Sequence, residues 1–152
     1  MIVKLPGTMS NEGAISNAFV HVRDIMPTIL DIADVSHTGE FEGRSVLPLQ
    51  GQSVLNFLAG EADTAYPGAA RVGYELFGLK AFFDGDWKIL WMPRPFASGE
   101  WELYDLKTDP GETNDLSREY PEKVQEMVAL WEQYKEDNTV LDISYDLSDA
   151  IE

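Results

Sequence analysis

The sequence predicts an α+β fold in which a four-stranded antiparallel sheet is packed by a C-terminal helix. Four segments between residues 72 and 106 are rich in aromatic and β-branched residues, as strands are. Short turn sequences separate them, and an amphipathic helical pattern follows from Pro121. These three observations define the fold class.

The four predicted strands span residues 72–77, 80–83, 87–92 and 101–106. The middle two are joined by Asp84-Gly85, which is typical of a two-residue hairpin, because glycine adopts the positive φ that a type I′ turn requires. Successive strands with short connections usually pair with their neighbours along the chain. The segments therefore predict an antiparallel meander.

The predicted C-terminal helix begins at Pro121, since proline suits the first helical position. Apolar residues then recur at spacings of three and four, at Val124, Met127, Val128, Trp131 and Tyr134. Such spacing places them on one face of a helix. We expect this face to cover the sheet.

An acid-rich run, residues 101–116 (WELYDLKTDPGETNDL), links the last strand to this helix. Residues 109–111, Asp-Pro-Gly, predict a chain reversal. We expect a helix to start at one of the polar residues that follow, Asn114, Asp115 or Ser117. Because Asp and Asn favour turns through local hydrogen bonds, the run is interpreted as a turn.

The N-terminal part begins with a predicted strand at residues 2–5, which Pro6-Gly7 would end. Apolar residues at helical spacing, Ile25, Ile29 and Ile32, predict a helix over residues 24–34.

Residues 36–70 contain many glycines and prolines and predict a linking region. One short helix is expected within it, at residues 53–58.

Composition narrows the classes of function. The 152 residues are 44% hydrophobic, as in an ordinary globular domain. Eleven Lys and Arg against 27 Asp and Glu give a net charge of -16, which disfavours binding to nucleic acids or anionic membranes. The acidity is interpreted as a solvated surface, with an acidic binding patch as the alternative.

No apolar run approaches the ~20 residues of a membrane helix, and the N-terminus lacks a signal-peptide pattern. The sequence therefore predicts no particular cellular compartment. Cysteine is absent, which excludes disulfides, thiolate metal sites and a cysteine nucleophile.

The sequence predicts no catalytic, cofactor-binding or metal site. His21 and His37 form no H-E-x-x-H motif, and no G-x-S-x-G serine is present. His21 is interpreted as a hydrogen-bonding residue at a helix entry, and His37 as a loop residue.

Two further motifs, a phosphate-binding loop and a calcium loop, do not match the sequence. Residues 39–44 do not match a phosphate-binding loop, because Arg44 follows the glycines where lysine is required. Neither residues 84–86 nor residues 109–115 have the ligand order of a calcium loop.

Three tryptophans allow two interpretations. Trp87, Trp91 and Trp101 lie on adjacent predicted strands at period-two spacing and could form a platform for sugar rings. Aromatic residues on one sheet face are more often the surface that a helix covers. The apolar face of the predicted C-terminal helix favours this second interpretation.

Four stretches carry a resemblance to a known family: RDIMPTILDIA at residues 23–33, GRSVLP at 43–48, DWKILW at 86–91 and LYDLKTDPGETNDL at 103–116. In order and spacing they resemble the C-terminal third of bacterial arylsulfatases, of the alkaline-phosphatase-like superfamily. The similarity extends from Ile2 to about Asp137.

The resemblance implies a sulfate ester hydrolase that uses a calcium ion and a formylglycine made within a C/S-x-P-x-R motif. The chain contains no such motif, none of the family's N-terminal aspartate ligands and no E-G-G-x-R stretch, and Lys4 is not the family's sulfate-binding lysine. By the resemblance, residues 1–70 are the strand, helix and linker that end the large α/β domain. Residues 71–152 are the C-terminal subdomain.

We therefore expect a C-terminal fragment or subdomain of an arylsulfatase, structural and without catalytic residues or a cofactor of its own. Its partner would be the missing N-terminal catalytic domain or a second copy of itself, as a homodimer. Family members are cytoplasmic or periplasmic. Two alternatives are a freestanding carbohydrate-binding module, which would use the tryptophan face, and a protein-interaction module that completes a separate catalytic chain.

Overall fold

A computed structural model describes residues 1–7 and 13–141 of the chain. Residues 8–12 and 142–152, which include the end of the predicted C-terminal subdomain, lie outside the described residues. The chain forms two compact units, Met1–Pro67 and Gly68–Glu152. None of the described helices combines the length and the apolar character that crossing a membrane requires.

The first unit contains little regular structure. A short 3-10 turn, Val22–Asp24, leads into helix α1, Ile25–Ile32, as predicted. A two-stranded hairpin of β1, Glu40–Phe41, and β2, Arg44–Ser45, follows, and helix α2 spans Leu55–Ala59.

The hairpin lies where only a linking region was expected. Its turn residues Glu42 and Gly43 both have positive φ, 49° and 74°, as in a type I′ turn. Glu-Gly is a weaker turn signal than Asn-Gly or Asp-Gly, and strands of two residues give no periodicity.

The predicted strand at residues 2–5 is not formed among the described residues, where residues 1–5 have no regular secondary structure. Apolar alternation gives only a propensity. A strand also needs hydrogen bonds from a neighbouring strand, and no described strand pairs with this segment.

The second unit is the predicted antiparallel meander, with strand order β3-β4-β5-β6. The strands are β3, Arg71–Leu76, β4, Leu79–Asp84, β5, Trp87–Trp91, and β6, Trp101–Asp105. Helix α3, Pro121–Asp137, follows with proline in its first turn. The predicted α+β architecture is confirmed.

Two hairpin turns differ from the prediction. Asp84 pairs with Trp87, so the turn between β4 and β5 is Gly85-Asp86 rather than Asp84-Gly85. Of its two residues Gly85 alone has positive φ, at 64°, as in a type II′ turn. Phe77, predicted as the end of a strand, instead forms a type I′ turn with Gly78, with φ of 51° and 81°.

The core of this unit lies between the sheet and α3. Phe82, Ile89 and Leu103 stand opposite one another on three adjacent strands and pack against Met127 and Trp131 of the helix. All five are buried.

The helix approaches β3 closely because residue 73 is glycine. A Cβ at Gly73 would lie 2.3 Å from the Tyr134 ring.

Helix α3 begins at Pro121, as the amphipathic pattern predicted. The helix start expected at Asn114, Asp115 or Ser117 is wrong, because residues 111–120 form turns, a bend and irregular backbone. The intervening segment is held against β6. The Leu103 N–H donates to Asp115 Oδ1 at 3.0 Å, and the Leu116 N–H donates to the Leu103 carbonyl at 2.8 Å. These bonds tie residues 115 and 116 to the edge of β6.

Candidate functional site

Asp24, at the start of α1, is the polar centre of the first unit and is only 2% exposed. Its carboxylate accepts hydrogen bonds from the His21 N–H at 2.7 Å, from the Gln52 N–H at 3.1 Å and from the Tyr66 hydroxyl at 2.7 Å. A buried carboxylate needs such donors to offset its lost hydration. The three donors come from three separate segments, which Asp24 therefore joins.

His21 completes this arrangement as the cap of the 3-10 turn. Its Nδ1 accepts the Arg23 N–H at 3.2 Å, while Asp24 accepts the His21 N–H, so the two residues form a capping box. Burial, and then the charge of Arg23, lowers the pKa of His21, which Asp24 partly opposes. The helix-entry interpretation of His21 is confirmed, and His37 lies in an exposed loop.

Thr28 and Gly51 hold residues 51–54 against the polar centre at Asp24. The Thr28 hydroxyl donates to the Asp24 carbonyl at 2.6 Å and accepts the Val54 N–H at 3.1 Å. A Cβ at Gly51 would lie 2.1 Å from the Arg23 carbonyl oxygen, so only glycine fits there.

Tyr66 remains a donor over a wide pH range. Burial and the hydrogen bond to Asp24 raise the pKa of Tyr66 to about 12. The Asp24 carboxylate is thus saturated by donors of its own unit, which suits a structural role rather than a general base.

The carboxylates of the acid-rich run likewise accept hydrogen bonds from nearby backbone N–H groups. Asp109 Oδ2 accepts the N–H groups of Thr113 at 2.7 Å and Asn114 at 2.9 Å. These bonds, the Asn114 N–H foremost, lower the pKa of Asp109.

Burial acts to raise the pKa of Asp115, but the N–H groups of Leu103 and Ser117 outweigh it, and the pKa is lowered. Asp115 accepts the Ser117 N–H at 2.9 Å. The interpretation of the acid-rich run as a turn is confirmed.

An ion pair that the sequence does not reveal fixes this turn to the sheet. Lys88 Nζ on β5 lies 2.7 and 2.6 Å from the two carboxylate oxygens of Glu112. The Lys88 side chain is 13% exposed and its Nζ lies 5.4 Å from the centre of the Phe83 ring. Glu112 has a φ of 53°, unusual for a residue with a side chain. The two residues are far apart in sequence, and no periodicity or motif links them.

The tryptophans do not form an exposed row. Trp87 and Trp101 are partly buried and pack against the core cluster. Trp91 is half-buried, and its indole N–H donates to the Gly99 carbonyl at 2.9 Å. The core interpretation is confirmed for Trp87 and Trp101.

Metal ligation finds no support within the described ranges, where no group of three His, Asp or Glu side chains could hold an ion. Asp84, in one of the two sequences compared with calcium loops, pairs with Arg71 at 2.9 Å.

Helix α1 presents an exposed apolar face in the first unit. Ile25, Met26, Ile29 and Ile32 are 43%, 55%, 55% and 47% exposed. A cleft of about 150 Å³ lies between this helix and the N-terminal segment, with Val3 and Leu5 in its wall. Contiguous exposed apolar surface is a common feature of interaction sites and ligand grooves.

Comparison with known proteins identifies the family. The family model described as N-sulphoglucosamine sulphohydrolase, C-terminal, matches residues 1–139. The chain belongs to this C-terminal sulfatase family. The resemblance to the C-terminal part of sulfatases is thereby confirmed.

Individual relatives of this C-terminal sulfatase domain are much longer. An uncharacterized sulfatase of Schizosaccharomyces pombe is 37% identical over 132 residues, 84% of this chain and 23% of that protein. Arylsulfatase K of Xenopus laevis is 29% identical over 124 residues, 80% of this chain and 23% of that protein.

A solved structure of a protein in complex with its substrate, D-glucosamine-2-N,6-O-disulfate, is 26% identical, with a TM-score of 0.56. The match covers 80% of this chain and 25% of that one. The C-terminal sulfatase domain thus spans about a quarter of the length of these relatives.

Proposed function

We propose that this chain is the C-terminal domain of a sulfuric ester hydrolase and has a structural role without catalytic residues of its own. One observation carries the proposal. The polar centre at Asp24 is saturated by the unit's own donors, whereas the apolar face of α1 is exposed. Such a unit offers a surface for packing rather than reactive groups.

The nucleophile and the metal ligands would come from another part of the enzyme. By the resemblance, the family requires a formylglycine made from cysteine or serine in C/S-x-P-x-R, and these 152 residues contain neither cysteine nor that motif. Calcium ligands are likewise proposed to lie in the catalytic part, because the described carboxylates form no group suited to a metal.

The apolar face of α1 is proposed to pack against that catalytic part, in the same polypeptide or as a separate chain. The relatives' lengths support this partner, since three quarters of each lies outside the matched region. A second copy of the chain is the competing occupant. Light scattering of the chain and of a variant lacking residues 1–35 distinguishes these two occupants. Only if the chain pairs with itself should the deletion lower the particle mass by more than the mass of the deleted segment.

The substrate of the whole enzyme is proposed to be a sulfate ester of glucosamine. The family description names a sulphoglucosamine, and a structural neighbour carries a sulfated glucosamine as its substrate. An aryl sulfate is the second candidate, because a relative is named as an arylsulfatase.

Turnover measurements test the structural role. Purified chain is incubated with 4-nitrophenyl sulfate and with glucosamine 6-sulfate, with and without calcium, beside an active sulfatase as a positive control. We expect no sulfate release, because sulfuryl transfer needs an activated nucleophile and charge neutralisation. Release proportional to the amount of chain would overturn the proposal, and an in-frame C/S-x-P-x-R upstream in the coding DNA would support it.

A further inference from the structure

A second open cleft lies in the second unit, beside the outer edge of β6, and is called here the β6 cleft. Its volume is about 530 Å³. Its lining includes the apolar side chains of Trp101 and Val124 and the polar side chains of Glu100, Arg118 and Gln125. Clefts of this size and mixed lining suit small ligands.

The apolar part of the β6 cleft is held in place by the core. Trp101 and Val124 both pack against the buried cluster of the sheet and α3. The Trp101 ring lies 6.3 Å from the ring of buried Trp131. A fixed aromatic ring costs little conformational entropy when a ligand packs on it.

Several polar groups of the cleft are not used elsewhere. Within residues 1–7 and 13–141, the side chains of Glu100 and Gln125 make no hydrogen bond or ion pair. The Arg118 guanidinium makes no hydrogen bond there either, but its charge helps to lower the pKa of Asp115. Asp115 differs, because its carboxylate accepts the N–H groups of Leu103 and Ser117. A carboxylate, a guanidinium and an amide thus remain to bind a ligand.

The charge of the lining selects against anions. Three acidic residues, Glu100, Glu102 and Asp115, line the cleft together with one arginine, Arg118. The whole chain carries a charge of -16. A sulfated ligand would be repelled, whereas a neutral or cationic one would not.

We propose that the β6 cleft binds a pyranose sugar that carries no sulfate, and binds an amino sugar best. The apolar face of a pyranose ring packs on the indole of Trp101. Its hydroxyls bond to the amide of Gln125 and the guanidinium of Arg118, and a protonated amine pairs with Glu100. This binding activity is separate from sulfate ester hydrolysis. The test of sugar binding does not depend on whether the chain belongs to an active sulfatase.

Titration of the full chain with three sugar probes tests the site by nuclear magnetic resonance. The probes are a glucosamine trimer, an N-acetylglucosamine trimer and a sulfated glucosamine disaccharide. We expect shifts at the amides of Glu100, Trp101, Arg118 and Gln125 with the first two probes at millimolar concentration. Affinity should fall from the glucosamine trimer to the acetylated trimer, with the sulfated probe weakest.

Two exposed substitutions, Glu100→Gln and Gln125→Ala, each remove one proposed contact without touching the core. Each should weaken glucosamine trimer binding about fivefold, the effect of one hydrogen bond. Gln133→Ala, on the same helix outside the cleft, is the matched control and should leave the affinity unchanged.

Three results would overturn the proposal: no shifts at the cleft amides, equal weakening by the control, or tighter binding of the sulfated probe.

Discussion

The two units of the chain bury different kinds of side chain. In the second unit the buried centre is apolar, formed by Phe82, Ile89, Leu103, Met127 and Trp131. In the first unit the buried residues described are Asp24, Thr28, Val54 and Ala65, and the larger apolar side chains of α1 stay exposed. Hydrogen bonds organise the first unit, and the hydrophobic effect organises the second.

This difference shows how a short chain distributes its apolar residues. The second unit satisfies the apolar face of its helix internally, so its stability should be its own. In the first unit the apolar face of α1 is exposed. The stability of this unit should therefore rise when the proposed partner surface binds this face.

The largest expected effect comes from emptying the apolar centre. Trp131→Ala should lower the free energy of unfolding by about 3–5 kcal/mol, because a fully buried ring is replaced by a cavity. Ile29→Ala is the matched control on α1, where the side chain is 55% exposed, and should cost less than about 1 kcal/mol. Denaturant unfolding measures both, and equal losses would remove the contrast between the units.

The polar centre should respond next. Asp24→Asn replaces an acceptor by a group that also donates, which leaves buried N–H groups unpaired and should cost about 2 kcal/mol. The pKa of Tyr66 should fall below its value of about 12, as ultraviolet titration would show. Asp34→Asn, at an exposed position, controls for the lost charge. An unaltered Tyr66 titration would contradict the assigned bond.

A smaller loss is expected at the hairpin of the second unit. Gly85→Val should destabilise the sheet by about 1 kcal/mol, because a β-branched residue resists the positive φ of 64°. Gly68→Val tests the same substitution where φ is not positive and no atom lies within 4 Å of the new Cβ. If both variants melt with the wild type, the turn imposes no such requirement.

The smallest effect concerns the pH dependence of the first unit. Since the folded state lowers the pKa of His21, the unfolded state binds the proton more readily. Stability is therefore complete above the ordinary pKa of 6.5 and falls as the pH drops towards the folded value, when Nδ1 no longer accepts the Arg23 N–H. The loss should be about 1 kcal/mol or less, the contribution of one cap.

His21→Asn keeps a cap acceptor but does not titrate, so this part of the pH dependence should disappear in it. Asp24, which faces His21, and neighbouring Arg23 are retained in both proteins. Amide hydrogen exchange at α1, measured against pH, would detect the difference. Identical profiles would assign the pH dependence to other groups.

The elements predicted correctly are those in which the periodicity of the apolar residues matches their burial. The aromatic strands and the face from Val124 to Trp131 repeat often enough to predict the sheet and α3, and the turn at Asp109 follows from local chemistry. The family resemblance rests on the same region.

The errors arise where structure depends on contacts distant in sequence. No helix starts between Asn114 and Ser117, where Asp115 and Leu116 instead bond to Leu103 on β6. The Lys88–Glu112 pair likewise joins a strand to a distant turn. Nothing in the sequence around Gly51 predicts its close contact with the backbone of Arg23 and Asp24, because only folding brings these residues together.

The bonds between the acid-rich turn and Leu103 have a consequence for aggregation. A strand at the border of a sheet usually offers its outward N–H and C=O groups to any extended chain that it meets. In β6 these groups of Leu103 are already occupied by Asp115 and Leu116, and the nearby carboxylates repel another copy of this acidic chain. We therefore expect the run of acids to disfavour the addition of a further strand at this border.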